Sequence, residues 1–113
     1  MKTKYQSLKS GILQGIRVLD LSRMLSGPYA TMLLADHGAE VIKIESSEGD
    51  TSRRSGPFNR SDEKRDWSGY FISLNRNKKS ISLNLKNKAD LVFLKKLIEK
   101  SDVLVENFRP GVM

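Results

Sequence analysis

The chain has 113 residues, of which 38% are hydrophobic and 29% charged, a balance typical of one globular domain and unlike a disordered or collagen-like chain. It has no cysteine and one histidine, His37, which excludes disulfides and multi-histidine zinc sites, so we expect no metal. No apolar run reaches the roughly 20 residues of a membrane span, and the start lacks a secretory signal, so we expect a cytoplasmic protein without membrane contact.

The positive charge is confined to the second half of the chain. There are 20 Lys and Arg against 13 Asp and Glu, and 20 − 13 gives the net charge of +7. Bases and acids balance over residues 1–50, so residues 51–113 carry the whole excess. Such a field favours an anionic ligand, either nucleic acid or a phosphorylated small molecule, although a solvated basic surface without a ligand is an equal alternative.

The first elements form a β-α-β unit that follows a polar leader over residues 1–14. The branched run IRVLDL over residues 16–21 predicts a buried strand. Ser26 is a candidate cap for a helix through Asp36, which ends at Gly38. The run EVIKIE over residues 40–45 predicts a second strand, parallel to the first.

The connection that follows, residues 46–68, is too long and too polar for an ordinary turn, so we expect it to be functional or mobile. After a short apolar piece at residues 70–74, the alternation in ISLNL predicts a strand over residues 81–85. Asn87 is a plausible cap for a helix over residues 88–100. The apolar stripe of that helix consists of Leu91, Leu94, Leu97 and Ile98.

A last strand is predicted over residues 102–106, and the alternation of strands and helices indicates an open, mostly parallel α/β sheet. Ligands of such sheets bind at the carboxyl ends of the strands, near helix N-termini. In this chain those ends are the turns at residues 22–27, 45–50 and 107–111.

Three candidates for chemistry lie in or near the first two turns and the helix between them. The SRMLSGP turn offers backbone N–H groups and hydroxyls to a phosphate or an oxyanion, but it has no GxGxxG or P-loop pattern, so a plain helix start is the alternative. Asp20 and Glu45 end their strands and are candidates for an acid, a base or a ribose contact, with ion pairing the favoured reading. His37 is better explained by a surface position at a helix end than by catalysis.

Two basic segments are more informative. In NRNKKSISLNLK, three bases precede a strand and Lys86 follows it, which would place several cations near one phosphate-bearing ligand, unless the run is simply solvated. In ENFRPG, Asn107 supplies an amide, Phe108 a stacking face and Arg109 a fork for phosphate. The alternative for this segment is an ordinary strand exit, for which Pro110 is typical.

Four motifs then occur in order: GIRVLDLSRMLSGPYATMLLADHGAEVIKIE, GD, YFISLNRNKKSISLNLK and DVLVENFRPGVM. Together they resemble the N-terminal segment of the class III CoA-transferases, the family of formyl-CoA transferase and carnitine CoA-transferase, over residues 15–113. The resemblance implies a Rossmann-like α/β fold, here the incomplete N-terminal part of the family's large domain. It also implies coenzyme A as cofactor or co-substrate, an interlocked homodimer, and transfer of CoA between carboxylic acids through an aspartyl-CoA thioester.

By motif, the resemblance implies CoA contacts in the first turn, around SLNLK and in ENFRPG. The residues are Leu25, Ser26, Leu83, Asn84, Leu85, Lys86, Asn107, Phe108 and Arg109.

The chain departs from the family pattern at three places. Many members have Arg after the KIE strand, where this chain has Ser46, so that contact is missing or comes from Arg53 or Arg54. Leu25 replaces the Gln of formyl-CoA transferases, which argues against formyl and oxalyl specificity. The nucleophilic Asp of the family lies beyond Met113, so we expect a truncated or incompletely recorded chain without its catalytic Asp region and second domain, and inactive alone.

Two alternatives stay open. An acyl-CoA racemase of the same superfamily would share the motifs, but racemases tend to shorten the loop that this chain keeps through WSGYF. A small nucleic-acid-binding module would use the +7 charge. Its bases are not interleaved with surface aromatics in a known binding motif, so we expect no nucleic-acid partner.

Overall fold

The computed structural model describes residues 11–113, so the first ten residues of the predicted leader lie outside the described residues. Within that range the chain forms four strands, three α-helices and one 3-10 helix. In chain order these are β1 (Arg17–Asp20), α1 (Ser26–Asp36), β2 (Glu40–Glu45), the 3-10 helix (Thr51–Arg54), α2 (Gly69–Leu74), β3 (Lys78–Ser82), α3 (Lys88–Glu99) and β4 (Val103–Val105).

The four strands form one sheet in the order β3-β2-β1-β4, and every neighbouring pair is parallel. Val18 in β1 is in register with Val41 of β2 on one side and Val103 of β4 on the other. The predicted α/β class with an open parallel sheet is therefore confirmed. The strand order reverses at β1, and ligands of such sheets bind outside the carboxyl ends of the strands near that point.

Helices cover both faces of the sheet. Val18 and Val41 pack with Ala35 and Ala39 on the face covered by α1. Because side chains alternate along a strand, Leu19 points the other way. It packs on the opposite face with Leu21, Ile44 and Leu94, the last of which lies in α3.

Helix α1 begins one residue earlier than a cap at Ser26 would require, so that prediction is wrong. Leu25 is the N-cap residue, no side chain caps the helix, and the Leu25 carbonyl accepts the Tyr29 N–H at 2.8 Å. Gly38 follows the helix with φ +104°, the left-handed turn that was predicted to end it. His37 lies exposed at this helix end, with Nδ1 2.6 Å from the Leu33 carbonyl oxygen.

Strand β3 covers Lys78–Ser82 rather than the predicted residues 81–85. Pairing with β2 decides its position, because Val41 to Glu45 lie opposite Lys78 to Ser82 along the whole ladder. The apolar alternation continues beyond β3 in Leu83, whose N–H still donates to the Glu45 carbonyl at 2.8 Å. The sequence pattern thus marked the half-buried positions 81, 83 and 85, while the hydrogen-bonded ladder begins earlier, at Lys78.

Helix α3 has its predicted cap, since the Asn87 side chain accepts the N–H groups of Ala89 and Asp90 at 2.8 and 3.2 Å. The predicted apolar stripe is buried only at its centre: Leu94 is buried, whereas Leu91 and Ile98 are each 37% exposed. Among the helices of residues 11–113, none combines the length and the apolar character that crossing a membrane requires.

Candidate functional site

A cleft of about 540 Å³ opens at the carboxyl ends of the strands. Each strand contributes to it through the segment that follows, so the sheet brings together parts of the chain that are far apart in sequence. The lining residues are Leu21, Arg23, Ile44, Glu45, Ser46, Ser47, Glu48, Leu83, Asn84, Leu85, Lys86, Phe108, Val112 and Met113.

One wall of the cleft is apolar. Leu83, Leu85 and Phe108 are half-buried and pack against the core cluster on the α3 side of the sheet. Leu83 and Leu85 reach it because they alternate in the extended segment after β3. A flat, partly accessible wall that ends in an aromatic ring suits a planar ring system of a ligand.

Two exposed cations, Arg23 and Lys86, line the same cleft. The guanidinium carbon of Arg23 lies 5.5 Å from the centre of the Phe108 ring. The backbone of Arg23 is held by the Asn107 side chain, whose Oδ1 accepts the Arg23 N–H at 3.0 Å while its Nδ2 donates to the Arg23 carbonyl at 2.8 Å. The cleft can therefore present two positive charges to an anion.

Arg23 was missed from the sequence, because the SRMLSGP turn was considered only for its backbone and its hydroxyls. The signal was available in the predicted topology. A base two residues beyond a strand that ends on the ligand side is well placed to face a ligand there.

Glu45 is an ion-pair partner rather than an acid or base, as the sequence favoured. Its carboxylate accepts Arg53 Nε at 2.8 Å and Nη2 at 2.7 Å, and also the Asp50 N–H and the Ser80 hydroxyl. Burial acts to raise the pKa of Glu45, but these donors outweigh it and hold the pKa below its ordinary value. Arg53 thus neutralises the negative charge that Glu45 brings to the cleft lining.

Because Arg53 is paired with Glu45, its guanidinium is not available for the contact that many family members make through an arginine at the position of Ser46. Its side chain is 14% exposed, and its guanidinium carbon lies 3.8 Å from the Phe71 ring centre and 4.8 Å from that of Trp67. Arg54 is 52% exposed and donates to the Glu48 carbonyl at 2.6 Å, so of the two it has the accessible guanidinium.

Asp20 lies outside the cleft lining, in a buried network under α1. It accepts the hydroxyls of Ser22 and Thr31 and the Lys78 ammonium, the last at 2.9 Å. Burial acts to raise the pKa of Asp20, yet these hydrogen bonds and the nearby lysines keep it below the ordinary value. Ion pairing is therefore the role of Asp20, as favoured from the sequence.

The three bases of NRNKKS, two of which lie within β3, do not gather around one ligand, which corrects the expectation from that segment. Each is paired with a carboxylate, and the Lys78 side chain is only 2% exposed. The pairs are Arg76 with Asp36 at 2.7 Å, Lys78 with Asp20 at 2.9 Å and Lys79 with Glu40 at 2.9 Å. Of that segment's cations, Lys86 is the one that lines the cleft.

Five of the predicted contact residues line the cleft, although they come from two separate motifs. They are Leu83, Asn84, Leu85, Lys86 and Phe108.

Asn107 lies beside the cleft and holds the backbone of Arg23. Leu25, Ser26 and Arg109 are exposed and are not part of the cleft lining. Contact of any of these residues with a ligand stays a prediction.

A cleft with an apolar wall and two cations, at the carboxyl ends of a parallel α/β sheet, is typical of proteins that bind phosphorylated cofactors. The family model for CoA-transferase family III matches residues 13–113. The chain belongs to this family, and the resemblance stated from its motifs is confirmed.

Known relatives agree with the family. The succinyl-CoA:mesaconate CoA-transferase of Haloarcula marismortui is 48% identical over 103 residues, which are 91% of this chain and 26% of the relative. The succinyl-CoA:glutarate CoA-transferase of Mus musculus is 50% identical over 100 residues, 88% of this chain and 22% of the relative. The chain therefore spans about a quarter of the length of the curated relatives it matches.

A solved structure shows the same fold. The crystal structure of a CaiB/BaiF family protein from Brucella suis superimposes with a TM-score of 0.82 at 36% sequence identity. The matched part covers 90% of this chain and 27% of that protein.

Proposed function

We propose that this chain contributes CoA binding to a CoA-transferase that moves CoA between carboxylic acids. The observation that carries the proposal is a single cleft with an apolar wall and two exposed cations, in a chain of CoA-transferase family III. CoA has the complementary chemistry, since it joins a planar adenine to anionic phosphates and a largely apolar arm.

The cleft residues fit the nucleotide half of CoA. Leu83, Leu85 and Phe108 offer an apolar and aromatic surface to adenine. Arg23 and Lys86 offer charge-assisted hydrogen bonds to the phosphates. Because Arg53 neutralises Glu45, that carboxylate does not repel an anion bound nearby.

The remaining predicted contacts surround this arrangement. Asn84 has an amide at the cleft that can hydrogen-bond a ribose or a base edge. Leu25 and Ser26 stand at the start of α1, whose backbone N–H groups favour an anion or a developing oxyanion. Asn107 contributes through the Arg23 backbone, and Arg109 is an exposed guanidinium beyond β4.

The covalent chemistry belongs to residues outside this chain. In the proposed complete enzyme, an Asp carboxylate attacks the acyl-CoA thioester and expels the CoA thiolate, which leaves a mixed anhydride. The thiolate then attacks the aspartyl carbonyl, which gives the aspartyl-CoA thioester and releases the first acid. Within such an enzyme, which we propose is an interlocked homodimer, residues 15–113 bind and orient CoA and supply no nucleophile.

Calorimetric titration of the chain with CoA tests the binding proposal. Lys86→Gln and Phe108→Ala are each expected to weaken CoA about tenfold, since one charge-assisted hydrogen bond or one stacked base contributes roughly 1 to 3 kcal/mol. Lys95→Gln is the matched control, because Lys95 is an exposed lysine of α3 away from the cleft lining. It is expected to leave the affinity for CoA unchanged.

Two results would contradict the proposal. One is an equal loss of CoA affinity in Lys86→Gln and Lys95→Gln, which would mean that only the net charge of the chain affects binding. The other is tight, salt-dependent RNA binding with no response to CoA, which would favour the nucleic-acid module instead.

A further inference from the structure

Lys43 is a buried base that the proposed CoA contacts do not use. It lies within β2, and its side chain is 2% exposed. A buried ammonium is unfavourable unless it is paired and hydrogen-bonded. Lys43 has two neighbours that meet this requirement, Asp50 and the Ser22 carbonyl, and their positions in the chain indicate what it does.

The ammonium of Lys43 joins the turns that follow two neighbouring strands. Nζ lies 2.9 Å from Asp50 Oδ2, in the turn after β2, and donates to the Ser22 carbonyl at 3.0 Å, in the turn after β1. It also lies 6.0 Å from the centre of the Phe71 ring. Lys43 and Asp50, with Arg23 and Ser46, line a narrow crevice between these turns.

Asp50 extends the connection to the next residues of the first turn. Its Oδ1 accepts the N–H and the hydroxyl of Ser52 at 2.9 and 2.8 Å, and lies 3.4 Å from the Met24 N. Within residues 11–113, Oδ2 has Lys43 as its close partner and no further hydrogen bond. One oxygen of the Asp50 carboxylate is thus paired with Lys43, while the other oxygen lies near Met24 of the first turn.

Met24 shows why the first turn needs such support. Its φ is +70°, in the left-handed region that residues other than glycine rarely adopt. A residue keeps such a conformation only where its surroundings impose it. Here the Asp50 carboxylate contacts Met24 on one side, and Asn107 holds the neighbouring Arg23 on the other.

We infer that the buried Lys43–Asp50 pair positions the first turn, residues 22–25, so that Arg23 faces the phosphates of CoA. This inference rests on the proposed function of the cleft. Lys43 and Asp50 are positioning residues, since neither contacts the proposed ligand and both act through the backbone of Ser22 and Met24. Loss of the pair releases Met24 from its left-handed conformation and moves Arg23 away from the cleft.

The test is the double variant Lys43→Met with Asp50→Asn, which removes both buried charges together and retains the Oδ1 acceptor for Ser52. CoA affinity is expected to fall about tenfold, and the amide signals of Arg23 and Met24 are expected to shift in NMR spectra. Adding Met24→Gly should restore part of the affinity, because glycine adopts a positive φ without strain. A purely structural role for the pair predicts no such rescue.

The control is Val41→Ala, which weakens the core beneath α1 without touching either turn. It is expected to lower the melting temperature and to leave the affinity of the folded chain for CoA unchanged. Should the double variant not fold, Lys43→Met alone is measured with the same expectation, since an unpaired Asp50 can bind a proton and so avoid a buried charge.

The outcomes separate this inference from the proposed function. Unchanged CoA affinity in the folded double variant, or affinity that Met24→Gly does not restore, overturns the positioning role and leaves the cleft as the CoA site. If the unaltered chain does not bind CoA, the proposed function and this inference fall together.

Discussion

At the scale of single residues, the first turn and the start of α1 are packed so closely that one position admits only glycine. A Cβ built on Gly27 would lie 2.2 Å from the Ser22 Cβ and 2.4 Å from its Oγ. Ser22 cannot move away easily, because its N–H and hydroxyl both donate to Asp20 and its carbonyl accepts from Lys43. The glycine therefore lets α1 begin directly against the turn that carries Arg23.

Gly27→Ala is accordingly expected to destabilise the chain by roughly 1 to 3 kcal/mol, the usual cost of overpacking a well-packed core. The free energy of unfolding in urea measures this change. Gly69→Ala serves as the control, since a Cβ there would lie 3.4 Å from Pro57 Cγ, an ordinary contact. Equal stability of the two variants would show that Ser22 and α1 separate more freely than the packing indicates.

The motifs identified several residues that line the cleft. Phe108 was singled out for its stacking face, Leu83 and Leu85 were implied by the family resemblance, and all three line the cleft. Lys43 was not identified, because a lysine in EVIKIE has no visible partner until the fold brings Ser22 and Asp50 to it.

At the scale of elements, the start of α3 was predicted correctly and the ends of β3 were not, because different contacts set them. Neighbouring residues set the start of α3, where Asn87 was identified as the cap and does cap it, although the same reasoning failed for Ser26 at α1. A strand end is set by its partner, and β3 follows the ladder of β2 rather than the alternation in ISLNL. Local patterns thus located every strand of the described sheet, while pairing decided where β3 begins and ends.

The cap gives a prediction at this scale. Asn87→Ala should cost about 1 kcal/mol, because two N–H groups at the start of α3 lose their acceptor. Urea denaturation measures this loss, and Asn87→Asp, which keeps the acceptor, should recover most of it. A loss in Asn87→Ala no larger than that in Asn87→Asp would mean that water satisfies the freed groups.

At the scale of the whole molecule, the sheet face under α1 and α2 changes from apolar to charged toward the carboxyl ends of the strands. Val18 and Val41 form its apolar part, and Asp20, Lys43 and Glu45 follow them in the same strands. Every one of these charges is paired, which ties β1, β2, β3 and the 46–68 connection to one another. The pairs are Asp20 with Lys78, Lys43 with Asp50, and Glu45 with Arg53.

This buried network predicts that the chain is sensitive to acid. Burial acts to raise the pKa values of Asp20, Glu45 and Asp50, but donors and cations outweigh it and hold all three below their ordinary values. A carboxyl group whose pKa is lower in the folded chain stabilises the fold above its unfolded pKa. That contribution is lost as the pH falls through the ordinary values of 4.5 and 3.8 toward the folded ones.

The midpoint of urea unfolding, measured from about pH 7 down to about pH 3, should therefore stay level and then fall steeply once these carboxyls begin to bind protons. The double variant Lys43→Met with Asp50→Asn should show a shallower fall, because one of the three carboxyls no longer titrates. Asp36→Asn is the comparison for an exposed pair, and it should change the slope less, since solvent screens the charge that Arg76 offers. A midpoint that stayed level to the lowest pH would mean that burial cancels the effect of the donors and cations, and a midpoint that rose would mean that burial outweighs them.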